Sequence, residues 1–308
     1  MKMIYNKSKK LMWTDITITI FLKDNPDQDI ENIFSIFYSL ELEFSRFLSD
    51  SSLSKLNTHR TLEVSDRFID VLKKSKKIHT DTNWYFNPLI NLKQLWYSSD
   101  FYLNNFKQED ADTEVNLDFD TLEIIWNKVS LQPWQNIDLW GIVKWFAVDI
   151  AKEYLDNKWY KDYIIDAWGD IYTSWSNENW WKIIVGIDSP FIKDLIFATL
   201  ELENKAIATS GIYKRKWNIN LGSEIGNKEY NHIINPISEI NNNEIISITL
   251  ISDNCYLVDA YATACIAMWT KQTLSFLDKN QIDWIIICTD KTIHTTEWMK
   301  KYNIQFII

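Results

Sequence analysis

Three groups of residues in this sequence have types and spacings that could do chemistry. Asp259 and Thr263 stand four residues apart in DNCYLVDAYATACIAMW (residues 253–269), a run with helical periodicity, so both fall on one helix face. A carboxylate and a hydroxyl there are hard-oxygen donors of the kind Mg²⁺ takes. Taken alone, such a pair is the ordinary pattern of a helix cap or a solvated face. Lys144 lies in IDLWGIVKWFAVDIA (residues 137–151), in the first turn of a second helical run. A cation there opposes the helix macrodipole, a cost that a bound anion would offset, and the free N–H groups of a helix start are themselves anion donors. His232, in YNHIINP (residues 230–236), is a candidate general base, because imidazole titrates near neutrality. His59, His79 and His294 stand outside any motif and read as structural.

The elements that must position these groups follow from periodicity. Residues 14–22 alternate apolar and polar as a strand does. Residues 29–48 and 65–80 carry helical spacing, the second with Ser65 as N-cap. The acidic stretch 98–120 reads as an inserted surface loop, and two short strands with a turn between them follow (TLEIIW, KVSLQP). A helix is expected over 141–156, and strands at YIIDAWGDIYT, WKIIVGI, 193–203, 205–209 and SITLIS. A helix from about 257 to 268, a short helix at KQTLSFLDKN and strands at WIIICT and IQFII complete the chain. Strands and helices intersperse without a clean βαβ repeat, which predicts an α+β (mixed α/β) architecture. GxGxxG and Walker A patterns are absent, so neither of those phosphate loops is indicated.

Composition excludes several classes. The net charge is −10 and the pI about 5.0, a balance that repels nucleic-acid phosphate and anionic membranes. Cys255, Cys265 and Cys288 form no CxxC pair and have no histidine at zinc spacing, so they read as buried thiols. The N-terminus has no signal-peptide pattern and no stretch has the length of a transmembrane helix. The sequence as it stands reads as cytoplasmic, or as extracytoplasmic if a leader precedes this start.

The balance of tryptophan and glycine is anomalous. There are 16 Trp and 6 Gly, where ordinary usage of about 7% would give roughly 22 glycines. Several Trp stand where glycine is expected: Trp134 and Trp140 frame a loop, Trp168 precedes Gly169, Trp159 follows a helical run, and Trp217 sits in a turn-like stretch. The expectation is that most are glycines encoded by UGA, with Trp96 and Trp181 genuine. UGA codons at 13, 84, 140, 145 and 168 would support it. The rival reading is a Trp-rich ligand-binding protein.

With those positions read as glycine, five stretches together resemble the ApbE family of flavin transferases. They are Met12-Trp13-Thr14; ELEFSRFLSDSSLSKLN (41–57); TNWYFNPLINLKQLW (82–96); IDLWGIVKWFAVDIA; and the trio AIATSGIYKR (206–215), YNHIINP and DNCYLVDAYATACIAMW. Asn87 and Asn235 stand where the family has Asp, and residues 237–239 (ISE) depart from its turn. The resemblance implies an ApbE-like fold of mixed sheets with flanking helices, as a single domain over 1–308 or two subdomains with the FAD site between them. It implies transfer of FMN from FAD to a threonine of an acceptor flavoprotein, with Mg²⁺ as cofactor and AMP released. It implies His232 as catalytic base; Met12, Phe47, Tyr85, Phe86, Asn87, Asp138 and Lys144 at the FAD; and Gly141, Asp259 and Thr263 at the metal. FAD hydrolysis to FMN and AMP, or ligand binding by an inactive relative should the Trp be real, are the alternatives.

Overall fold

A computed structural model describes residues 3–22, 24–89, 116–176, 182–213, 216–220, 227–231, 233, 235–237 and 242–307, with backbone alone at 216–220 and 227–230. His232, Trp96 and Trp181, and most of the acidic stretch 98–120, lie outside the described residues.

The chain begins with a hairpin, β1 (Met3–Leu11) and β2 (Thr14–Leu22), and continues through α1 (Asp27–Phe44), α2 (Ser52–His59), β3 (Thr61–Glu63) and α3 (Asp66–Asp81). Next come β4 (Glu123–Ile125), β5 (Lys128–Ser130), α4 (Trp140–Asn157), β6 (Tyr163–Ala167), β7 (Ile171–Ser174), β8 (Ile184–Asp188), β9 (Ile196–Glu201) and β10 (Lys205–Gly211). The hairpin β11 (Lys216–Asn220) and β12 (Asn227–Asn231) precedes β13 (Ile245–Ser252), α5 (Cys255–Ala267), α6 (Thr270–Asn280), β14 (Asp283–Cys288), β15 (Ile293–Thr295) and β16 (Gln305–Phe306).

Eight strands form the central sheet, in the order β1-β2-β6-β7-β10-β13-β14-β15, and β16-β9-β8 form a second sheet. Every pairing among the described strands is antiparallel. Alternation along the central strands explains the layering. Ile16, Ile18 and Ile20 of β2, and Ala206 and Ala208 of β10, join the core under the helices. Phe21, Ile207, Ile251, Ile285 and Ile287 point the other way and join Val185, Ile187, Phe197 and Leu200 of the second sheet. The sheet is covered on both faces, which is why WIIICT reads as an unbroken apolar run. The α+β class expected from the sequence holds.

Most elements fall where periodicity places them. Ser65 caps α3 by accepting the N–H of Phe68 at 3.0 Å. The cysteines are buried and free. YIIDAWGDIYT departs from expectation: it is two strands, β6 and β7, reversed at Trp168-Gly169. A run of alternating residues cannot disclose a two-residue reversal when one turn residue is written as tryptophan.

Buried His79, on α3, donates its Nδ1–H to the carbonyl of Phe86 at 2.8 Å, and so holds the Phe86 backbone. A Cβ added at Gly141 would sit 3.6 Å from the Phe86 ring, so this ring supports the first turn of α4. Burial holds the His79 pKa below its ordinary 6.5, with nearby Lys76 adding to the effect. The unfolded chain therefore binds a proton that the native state resists, and stability falls as pH drops below 6.5. Urea midpoints at pH 7 and pH 5 should differ in that direction, and His79→Gln should flatten the difference. An unchanged slope in the variant would exclude His79 as the source.

Candidate active site

A cavity of about 310 Å³ opens where five segments converge. Asp138, Trp140, Gly141 and Lys144 come from the start of α4; Trp168, Gly169 and Asp170 from the β6–β7 turn; Gly186, Ile187 and Asp188 from β8. Thr209, Ser210 and Gly211 come from the end of β10, and Asp259 and Thr263 from α5; Arg46, Tyr213 and Ile233 complete the lining. Five of the expected site residues therefore meet: Asp138, Gly141, Lys144, Asp259 and Thr263. The i, i+4 spacing does put Asp259 and Thr263 on one face, and that face looks into the cavity. The Thr263 hydroxyl lies 3.3 Å from that of Ser210, which ties α5 to β10.

Local chemistry explains how the segments are held. One oxygen of Asp138 accepts the N–H of Trp140 at 2.9 Å, and the other pairs with the Arg46 guanidinium. Asp138 thus shapes the entry to α4 and neutralises Arg46. Asp149, in the same helix, reaches the start of α5, where its oxygens accept the N–H groups of Cys255 and Tyr256 at 3.1 Å each. It caps the helix that carries Asp259 and Thr263. Asp149→Ala is expected to cost about 3 kcal/mol, because two charge-assisted bonds vanish and two N–H groups lose their acceptor. Thermal melts should show the loss, and a melting temperature equal to that of the parent would contradict the capping role.

The electrostatics centre on Asp170. Its carboxylate is buried and accepts the N–H of Thr209 at 2.9 Å. Burial pushes its pKa well above the carboxylate range, the like charge of Asp259 adds to this, and Lys144 and the Thr209 N–H oppose it. The Lys144 ammonium also lies over the ring of Trp168, 5.9 Å from its centre.

The other expected contacts with the flavin substrate lie outside the cavity lining. Met12 is fully buried, and its N–H donates to Glu41 at 3.0 Å. Phe47 packs on Trp13, ring centres 5.1 Å apart, beside Arg46. Tyr85 donates its hydroxyl to Gln272 at 3.0 Å, and Phe86 backs Gly141. Asn87 bonds the carbonyl of Leu117 and the N–H of Leu89. Ile233, one residue from His232, does line the cavity.

The model of the ApbE family matches residues 12–286. The chain belongs to the ApbE family. It is 28% identical over 295 residues to the FAD:protein FMN transferase of Chlamydia muridarum, covering 89% of this chain and 85% of that one. The solved flavin transferase ApbE of Vibrio cholerae superposes with a TM-score of 0.78 at 23% identity, covering 98% of this chain and all of that one. The ApbE protein of Thermotoga maritima gives 0.82 at 21% identity, covering 97% and 99%. These two likenesses show a shared fold.

Six cavity residues of this ApbE-family chain were not among the expected site residues: Arg46 lies in the 41–57 stretch and Thr209, Ser210 and Tyr213 in the 206–215 stretch, whereas Asp170 and Asp188 lie outside all five. Asp170 had a signal. Acidic residues flank a Trp-Gly pair in DAWGD, a two-residue reversal if Trp168 takes a positive φ. Asp188 had none, because it belongs to no spacing that local periodicity can single out.

Proposed function

We propose that the chain transfers the FMN half of FAD to a threonine of an acceptor protein, with Mg²⁺ as cofactor and AMP as the leaving group. One observation carries the reading: the first turn of α4, with Gly141 and Lys144, faces Asp259 and Thr263 of α5 across a single cavity. An anion-binding helix start opposite a hard-oxygen face is suited to holding a pyrophosphate together with a hard cation.

The donor set fits Mg²⁺. Among the described residues no three His, Cys, Asp or Glu cluster as a metal group, so the proposed ligands beyond Asp259 are a hydroxyl and a carbonyl. Asp259, the Thr263 hydroxyl and the Gly141 carbonyl are the oxygens proposed to hold the ion, with phosphate oxygens sharing its shell. Asp170 lines the same cavity as Asp259 and adds a carboxyl to the oxygens around the proposed site.

The protein groups divide the work. N–H groups at the start of α4 and the Lys144 ammonium orient the pyrophosphate. His232 takes the proton from the acceptor threonine hydroxyl, whose oxygen attacks the FMN phosphorus. The bond from that phosphorus to the bridging oxygen breaks, and AMP departs with the electron pair. Mg²⁺, when bound, supplies charge that offsets the negative charge growing on the leaving phosphate.

The test is AMP release from FAD and Mg²⁺, with and without an acceptor domain carrying a target threonine. AMP together with flavin bound covalently to the acceptor is the expected result. AMP with only free FMN would replace transfer by hydrolysis, and absence of AMP in both reactions would overturn the reading.

A further inference from the structure

We infer that positions 13, 84, 126, 134, 159 and 168, written as tryptophan, are glycine in the polypeptide the cell makes, their codons being read as glycine. The inference rests on backbone geometry and holds whatever reaction the cavity performs. All six have φ between +56° and +73°. For a side chain as bulky as tryptophan that region is a steric outlier, and for glycine it costs nothing.

Five of the six positions are also slots that backbone geometry reserves for glycine. Leu11 pairs with Thr14, so Met12-Trp13 is a two-residue hairpin loop, and both residues have positive φ (51° and 59°). That is a type I′ turn, in which glycine is favoured at the second place. Trp168-Gly169 is another: the N–H of Ala167 donates to Asp170 at 2.9 Å, with φ of 65° and 89° between them. Trp126 opens the two-residue loop between β4 and β5 with φ 56°. Asn127 is not among the positive-φ residues, so this is a type II′ pattern, whose first place is glycine's. In Gln132-Pro133-Trp134-Gln135 the N–H of Gln135 donates to the Gln132 carbonyl at 3.2 Å, and Trp134 has φ 64°. Proline followed by a positive φ is the type II turn, with glycine third.

The two helix ends agree. After α4, the N–H of Trp159 donates to Asp156 at 2.9 Å and that of Tyr160 to Leu155 at 3.1 Å. This is a Schellman motif with Trp159, φ 62°, at its glycine position. After α3, Asn83 fills that position (φ 49°), and Trp84 follows it with φ 73° while donating to His79 at 2.8 Å.

None of the six indoles is buried. Trp126 is 91% exposed and Trp159 86%, and the other four are each more than half exposed. Each of the six thus sets a large, mostly exposed aromatic side chain on a backbone conformation that favours glycine. Trp168 also walls the cavity, so glycine there would widen the site.

Peptide mass spectrometry of the protein isolated from its own cells tests this directly. Peptides spanning residues 126, 134 and 159 should carry the mass of glycine, and tryptophan there would overturn the inference. A recombinant comparison reads the geometry separately. The chain with glycine at all six positions should melt about 10 °C above the chain with alanine at all six, because alanine keeps the Cβ that a positive φ penalises. Equal melting temperatures would show that the six positions do not demand glycine.

Discussion

Asp259→Asn should lower AMP release from FAD by about 10³-fold. The substitution keeps the side chain's shape and one oxygen, and removes one negative charge from the α5 face of the cavity. Loss of one preorganised electrostatic group commonly costs about 10²–10³ in rate, and a metal ligand stands at the upper end of that range. The parent should melt higher when Mg²⁺ and FAD are added together, and the variant should not. A variant that keeps both the ligand-induced rise and the turnover would remove Asp259 from the metal set, and with it the proposed role of α5.

His232→Ala should cut transfer about 10²–10⁴-fold, the range that general-base catalysis supplies, with FAD affinity little changed. The residue's neighbour Ile233 lines the cavity, whereas the proposed phosphate contacts come from α4 and α5. Removing the imidazole would therefore take away a proton acceptor and leave those contacts in place. A base must be neutral to act, so the parent's pH–rate profile should show an acid limb that vanishes in the variant. Parent and variant rates that follow the same pH profile would assign the proton to another group. Separate measurement of FAD binding distinguishes a lost base from a collapsed site.

The sequence carried much of the fold because the decisive signals were local. Helical spacing and the Ser65 cap located α3, and the amphipathic run at 141–156 located α4 to within a residue at each end. β1 was missed: its residues MIYNKSKKL put few apolar side chains in the core, and its place is set by pairing with β2. α2 was also missed, since only Leu53 and Leu56 of its eight residues are buried.

The sequence alone determined which residues could hold an anion and a hard cation, and on which helix faces they stand, because i, i+4 spacing and helix starts are properties of a few consecutive residues. It also disclosed the glycine deficit, a matter of counting. Only the tertiary structure decided that Lys144 and Asp259 share a cavity and that Asp170 is turned into it by a tight reversal. The same holds for the tie between Asp149 and α5, and for the positive φ at six tryptophans. These depend on antiparallel pairings and helix packing between segments far apart in the chain, and on the backbone angles those pairings impose. No local pattern of side chains encodes such angles when the residue that would announce them is written as another.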